Sequence, residues 1–210
     1  MTACTECGAA LESPVGCGQC GTLSDTATAA GPFQLFGLEP SWSVDAADLK
    51  KRLLRYSRIC HPDFFATAQD EIRELAESNS ALLNEAYEVL SDDFARANWF
   101  VGELGGPSEQ DERQMPQAFL MEVLEWNETL EEARANPGDA SGDSNLEELA
   151  RSLGSERGES MNQIAMHLEP LPDRGAPSLT EVRKLLNAVR YVDRALGEIR
   201  KLRLQRSTTR

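Results

Sequence analysis

Arg58-Ile59-Cys60-His61-Pro62-Asp63-Phe64-Phe65 separates two strongly patterned helical segments, and the reading of the whole chain turns on it. Pro62 has no N–H and a fixed φ, and it disfavours the α region for His61, so the preceding helix is expected to end at or near Cys60. His61 and Asp63 are then held side by side at a loop tip and presented outward. Such a tripeptide is also an ordinary turn, so the flanks decide.

Upstream, Ser43 with Asp45 and Asp48 reads as a cap and an acidic first turn. Leu49, Leu53, Tyr56 and Cys60 then fall on one apolar helix face. Lys51, Arg55 and Arg58 form a cationic stripe on the same helix, with Lys50 and Arg52 beside it. The chain's formal net charge is -14, and a basic stripe against that background calls for an anionic partner. Downstream, Ile72, Ala76, Leu83, Ala86 and Leu90 mark a second long helix that ends in Asn84-Glu85-Ala86-Tyr87-Glu88-Val89-Leu90-Ser91-Asp92.

Together with Phe33-Gln34-Leu35-Phe36-Gly37-Leu38, these features resemble a J-domain in order, spacing and helix context, over Phe33 to Leu104. The resemblance implies an antiparallel helical hairpin with the loop at its tip, and the task of stimulating ATP hydrolysis by a DnaK-type chaperone. It implies further that His61, Pro62 and Asp63 carry the signal, and that Lys51, Arg52, Arg55 and Arg58 dock on the chaperone. Phe64 stands where the family commonly has Lys, which leaves that position without an implied role.

Cys4-Thr5-Glu6-Cys7-Gly8 and Cys17-Gly18-Gln19-Cys20-Gly21 hold four of the five cysteines. In each, the two-residue spacer lets both thiolates point inward, and the Gly relieves the turn so that backbone N–H groups face sulfur. One zinc ion on Cys4, Cys7, Cys17 and Cys20 is expected, with iron in a rubredoxin-like site next. A redox pair wants a β-α-β context, which is lacking, and disulfides suit a secreted chain. The segment carries Glu6 and Glu12 and no basic residue, so it is read as structural. Cys60 is read as a small core residue.

Residues 1–23 are thus expected to be a zinc-knuckle segment, 24–31 a linker, 32–105 the J-domain and 115–206 a C-terminal three-helix bundle. The acidic balance disfavours nucleic acid, no apolar run suits a transmembrane helix, and the first Lys or Arg is Lys50, unlike a transit peptide. The expected compartment is the cytoplasm, with the mitochondrial matrix as the alternative for a eukaryote.

Gly105-Gly106-Pro107 stops the last short J-domain helix. Three helices are expected after it: one from Pro116 to Ala135, a second from Asn145 to Glu169 with a kink or break at Gly154 or Gly158, and a third opening on a Ser178-Leu179-Thr180-Glu181 capping box. They make an antiparallel three-helix bundle and the whole an all-α fold. The first of the three is apolar on two sides. Phe119, Val123, Trp126 and Leu130 form one stripe, while Leu120, Met121 and Leu124 lie well round the cylinder, continued by Glu125, Glu128 and Glu132. Either the bundle covers both stripes or one is left for a partner.

Ala118-Phe119-Leu120-Met121-Glu122 through Glu132, with Arg190-Tyr191-Val192-Asp193-Arg194, is similar to the C-terminal domain of the HscB-type co-chaperones of iron-sulfur cluster assembly. With the J-domain and the double knuckle before it, the match is to the zinc-bearing forms. It implies that Leu120, Met121, Leu124, Glu125, Glu128, Glu132 and Tyr191 contact the cluster scaffold protein. No Ser-His-Asp set, phosphate loop or His metal motif is visible, and His167 reads as a partly buried or surface residue, so an enzyme is not expected. Two other readings stay open: a general J-protein for unfolded clients, and a four-cysteine metal or redox protein.

Overall fold

The computed structural model describes the backbone of residues 3–136 and 140–208, and their side chains except at 117, 118, 120, 140, 141 and 206–208. The fold is all-α: a J-domain helical hairpin and a three-helix bundle, with the cysteine-bearing segment ahead of them. Apart from 3-10 turns and three isolated antiparallel bridges within residues 3–23, the regular structure among the described residues is α-helical. The chain divides into two compact units, Met1–Arg96 and Ala97–Arg210.

In the first unit, α1 (Pro32–Leu35), α2 (Ala46–Cys60) and α3 (Asp70–Ser91) pack together, α3 against both others. Asp45 rather than Ser43 caps α2, because its carboxylate accepts from the N–H groups of Ala47 at 2.8 Å and Asp48 at 3.1 Å. Leu49, Tyr56 and Cys60 are buried as the periodicity predicts, facing Ala76, Leu83, Ala86 and Leu90 of α3. Each fully buried large side chain contributes about 1.5–3 kcal/mol. Ile72 departs from the predicted face: it stands in the first turn of α3 and is exposed. Phe36 wedges between Tyr56 and Tyr87, ring centroids 6.3 and 6.4 Å away.

Helix α4 (Asp93–Glu103) follows directly. Its Arg96 is buried, donates to the carbonyls of Leu90 at 2.6 Å and Trp42 at 2.9 Å, lies over the Trp42 ring and pairs with Asp93. A buried guanidinium demands such a full set of acceptors. It staples the end of α3 to the segment entering α2.

In the second unit, α5 (Gln117–Ala135), α6 (Ala140–Leu168) and α7 (Ser178–Thr208) form the bundle. Phe119 lies against Tyr191, and Arg134, farther along α5, pairs with Glu198, so α5 and α7 run the same way, with α6 returning between them. Phe119, Trp126 and Leu130 share a core with Leu146, Leu149, Leu153, Val192 and Ile199. Helix α6 runs unbroken through Gly154 and Gly158. The roughly 1 kcal/mol that each glycine costs is outweighed by burial of Leu146, Leu153, Ile164 and Leu168 along its length. Arg183, buried on α7, donates to the Pro107 carbonyl at 3.0 Å and to Asn98 Oδ1 at 2.8 Å. Asn187 donates to the carbonyls of Glu112 and Gln114, both at 2.9 Å, so the polar stretch before α5 is fastened to α7.

Candidate functional site

The four knuckle cysteines converge. Their Sγ atoms all lie within 4.8 Å of one another, with Cys4–Cys20 and Cys7–Cys17 at 3.6 Å. A tetrahedral ion with bonds of about 2.3 Å to sulfur sets its ligands roughly 3.8 Å apart, so the donor set fits one. Both knuckles turn alike: Gly8 N–H donates to Cys4 O and Gly21 N–H to Cys17 O, each at 2.9 Å, with φ of 74° and 77°. Only glycine holds that left-handed region without strain. The Gln19 N–H faces Cys17 Sγ at 3.4 Å. The Thr22 hydroxyl and N–H lower the Cys20 thiol to about 6, while Cys20 and its other sulfur neighbours push Cys7 up, so these two thiols ionise unequally until an ion binds them.

Far from being loosely tethered, this segment is built into the first unit. Val15, Cys17 and Ala27 are buried. Asn79 of α3, itself fully buried, donates to the carbonyls of Val15 at 2.9 Å and Ser24 at 2.8 Å, and the Ser13 hydroxyl donates to Leu35 O at 2.7 Å. Residues 24–31, expected as a linker, hold a 3-10 helix, Asp25–Ala29, packed on α3. Gly37, at φ 60°, brings the backbone so close that a Cβ there would sit 2.5 Å from the Glu12 carbonyl.

The loop at the hairpin tip begins at His61, where α2 stops, and Pro62–Phe65 form a 3-10 turn. His61 and Asp63 side chains are exposed; His61 Nδ1 accepts from the Asp63 N–H at 3.3 Å and lies 3.7 Å from its carboxylate. Phe64 is exposed too and meets the His61 ring edge-on at 5.8 Å.

The basic residues of α2 divide by what they touch. Lys51 and Arg58 are exposed and carry no ion pair among the described residues. Lys50 lies over the Tyr87 ring. Arg52 turns inward, pairing with Asp48 at 2.6 Å and donating to the carbonyls of Phe36 at 3.0 Å and Gly37 at 3.3 Å, so its guanidinium is committed to the end of α1. Asp48 accordingly raises its pKa. Arg55 forms a two-pronged pair with Glu12, at 2.7 and 2.8 Å. The sequence reading missed Ser13, Asn79 and the Glu12–Arg55 pair.

On α5, Phe119, Trp126 and Leu130 face the bundle core, whereas Met121 is 75% and Leu124 67% exposed. Glu125, Glu128 and Glu132 are exposed beside them. The Leu120 side chain lies outside the described residues. Tyr191 is half-buried, its ring edge-on to Phe119 at 6.1 Å, so it belongs partly to the core and partly to the surface. His167 is half-buried.

Residues 115–200 match the HSCB C-terminal oligomerisation domain family. A co-chaperone protein HscB homolog of Shewanella loihica is 30% identical over 170 residues, which span 80% of this chain and 94% of the relative. The chain belongs to the HscB family of co-chaperones. A second HscB homolog, from Vibrio vulnificus, is 40% identical over 102 residues, 48% of this chain and 59% of that one. The crystal structure of human co-chaperone protein HscB superposes with a TM-score of 0.75 at 25% identity, covering 95% of this chain and 97% of the human one. Chaperone HscB from Vibrio cholerae shares the fold, with a TM-score of 0.69. HscB-type co-chaperones are non-catalytic; the function of the family is to stimulate a chaperone's ATPase and deliver an iron-sulfur scaffold. No helix among the described residues is long and apolar enough to cross a membrane.

Proposed function

We propose that the chain holds an iron-sulfur cluster scaffold protein on its three-helix bundle and presents it to a DnaK-type chaperone whose ATP hydrolysis the His61-Pro62-Asp63 loop promotes. The observation that carries the scaffold half is the exposure of Met121 and Leu124 on a helix whose other stripe already closes the core. Apolar side chains left uncovered beside an acidic row suit a folded partner with an apolar, basic surface. Leu120, Glu125, Glu128, Glu132 and Tyr191 complete this surface on the sequence reading. Lys51, Arg55 and Arg58 are the docking cations, and Arg52 supports them from within.

The Cys4, Cys7, Cys17 and Cys20 site holds zinc in this reading, since four thiolates with tetrahedral spacing favour it over harder ions. Zinc would tie the two knuckles to each other, adding a cross-link to the packing of Val15 and the Asn79 hydrogen bonds that already join the segment to α3. We divide the chain into a knuckle segment (1–23), a connecting segment (24–31), a J-domain (32–105) and a scaffold-binding bundle (115–206). A site of four metal-held thiolates suits a reducing compartment, here the cytoplasm, or the mitochondrial matrix in a eukaryote.

The test is a pair of variants assayed for both activities. His61→Gln should abolish ATPase stimulation and keep scaffold affinity, and Met121→Ala with Leu124→Ala should do the reverse. Loss of both activities in either variant, with the fold intact, refutes the division of labour. Equal binding of many denatured proteins would favour a general J-protein instead.

A further inference from the structure

Arg55 sits between Lys51 and Arg58 on the exposed stripe of α2, yet both prongs of its guanidinium are engaged by Glu12 from the cysteine-bearing segment. Glu12 is fixed at both ends. Its backbone carbonyl accepts from the Tyr56 hydroxyl at 3.4 Å and abuts Gly37, and the next residue, Ser13, is buried and bonded to Leu35 O. The segment therefore delivers a carboxylate to one chosen cation, and its position is set by the cysteine cluster on one side and the hairpin on the other.

We infer that Glu12 competes with the chaperone for Arg55: the cysteine-bearing segment occupies this cation with its own carboxylate and so sets the strength of docking on α2. This rests on the reading of α2 as the chaperone-docking face. A guanidinium already held bidentately by a carboxylate offers an incoming acidic group little net charge, and that group has to displace Glu12 before it gains Arg55. Because both side chains are more than half exposed, the pair is weak and displaceable, worth a few-fold rather than orders of magnitude. Such a contact tunes affinity and leaves the face usable. Lys51 and Arg58 remain available throughout.

The experiment measures docking of the full metal-loaded chain to a DnaK-type chaperone by titration, at two salt concentrations, for Glu12→Gln, Glu6→Gln and Arg58→Gln, with metal content checked for each. Glu6 lies in the same segment, is exposed, and removes the same charge without touching Arg55. Glu12→Gln should tighten docking about two- to fivefold at low salt, with a steeper salt dependence because one more cation takes part. Glu6→Gln should tighten it far less. If Glu12→Gln leaves docking unchanged or weaker, or Glu6→Gln matches it, the competition is overturned. If Arg58→Gln fails to weaken docking, the underlying reading of α2 falls; weakening by Arg58→Gln with no gain from Glu12→Gln overturns the present inference alone.

Discussion

Removing the side chains of Met121 and Leu124 should cost binding and spare the fold, and the structure sets both magnitudes. Only about a quarter of the Met121 surface and a third of that of Leu124 is out of water. Core Leu→Ala changes cost about 2–5 kcal/mol, whereas surface changes stay within about 0.5 kcal/mol. The double Ala variant should thus lose about 1 kcal/mol or less, softened by the better helix propensity of Ala. Trp126→Ala and Leu130→Ala, at 6% and 3% exposure, should lose roughly 3–5 and 2–5 kcal/mol. Scaffold binding should weaken by at least about 2 kcal/mol for the double variant, some thirtyfold, as anchors near an interface centre do. Tyr191→Ala should not behave like the pair: its ring rests on Phe119, so it should lose binding and about 1–2 kcal/mol of stability together. Urea melts and titration calorimetry with purified scaffold measure both quantities. If the Met121/Leu124 variant melts as early as Leu130→Ala, or binds like the parent, the unpartnered-stripe argument is wrong.

Three other outcomes are expected. Protein purified without chelator should carry one zinc per chain by elemental analysis; stripping it should make four thiols reactive and lower the urea midpoint of the first unit, because the buried Val15 is returned to water at about 1.5–3 kcal/mol. His61→Gln and Asp63→Asn should abolish ATPase stimulation without moving the melting temperature, both side chains being at least half exposed. Burial pushes the Cys60 thiol from 9.0 to about 11. The unfolded thiol therefore ionises first, and its contribution to stability is complete below about pH 9 and lost as pH rises toward 11. Urea melts of the parent and Cys60→Ala at pH 8 and 10.5 should show the parent losing more.

What the sequence made legible was whatever repeats locally. The apolar period of α2, the stop at Pro62, the two knuckles and the two-sided pattern of α5 all depend on neighbours within a turn or two, where spacing alone dictates geometry. What stayed hidden were single polar contacts between distant positions. Asn79 meets the carbonyls of Val15 and Ser24, 64 and 55 residues away, and Arg55 meets Glu12 across 43. No periodicity announces such pairs, and residues 24–31 looked like a linker because the one buried side chain there, Ala27, is too small to mark a pattern.

The same limit explains the cationic stripe. Arg52, Arg55 and Arg58 are one residue type on one helix, Arg52 beside the stripe and the other two in it, but α2 carries them past different neighbours: the carbonyls closing α1, the carboxylate of Glu12, and solvent. Three identical side chains thereby become a structural clasp, a masked charge and an open one. Charge reversal at Arg55 would accordingly strike the proposed docking face and the fastening of the cysteine-bearing segment at once, while the same change at Arg58 strikes the face alone. Arg58 is the position at which a loss of docking reads directly as lost contact with the chaperone.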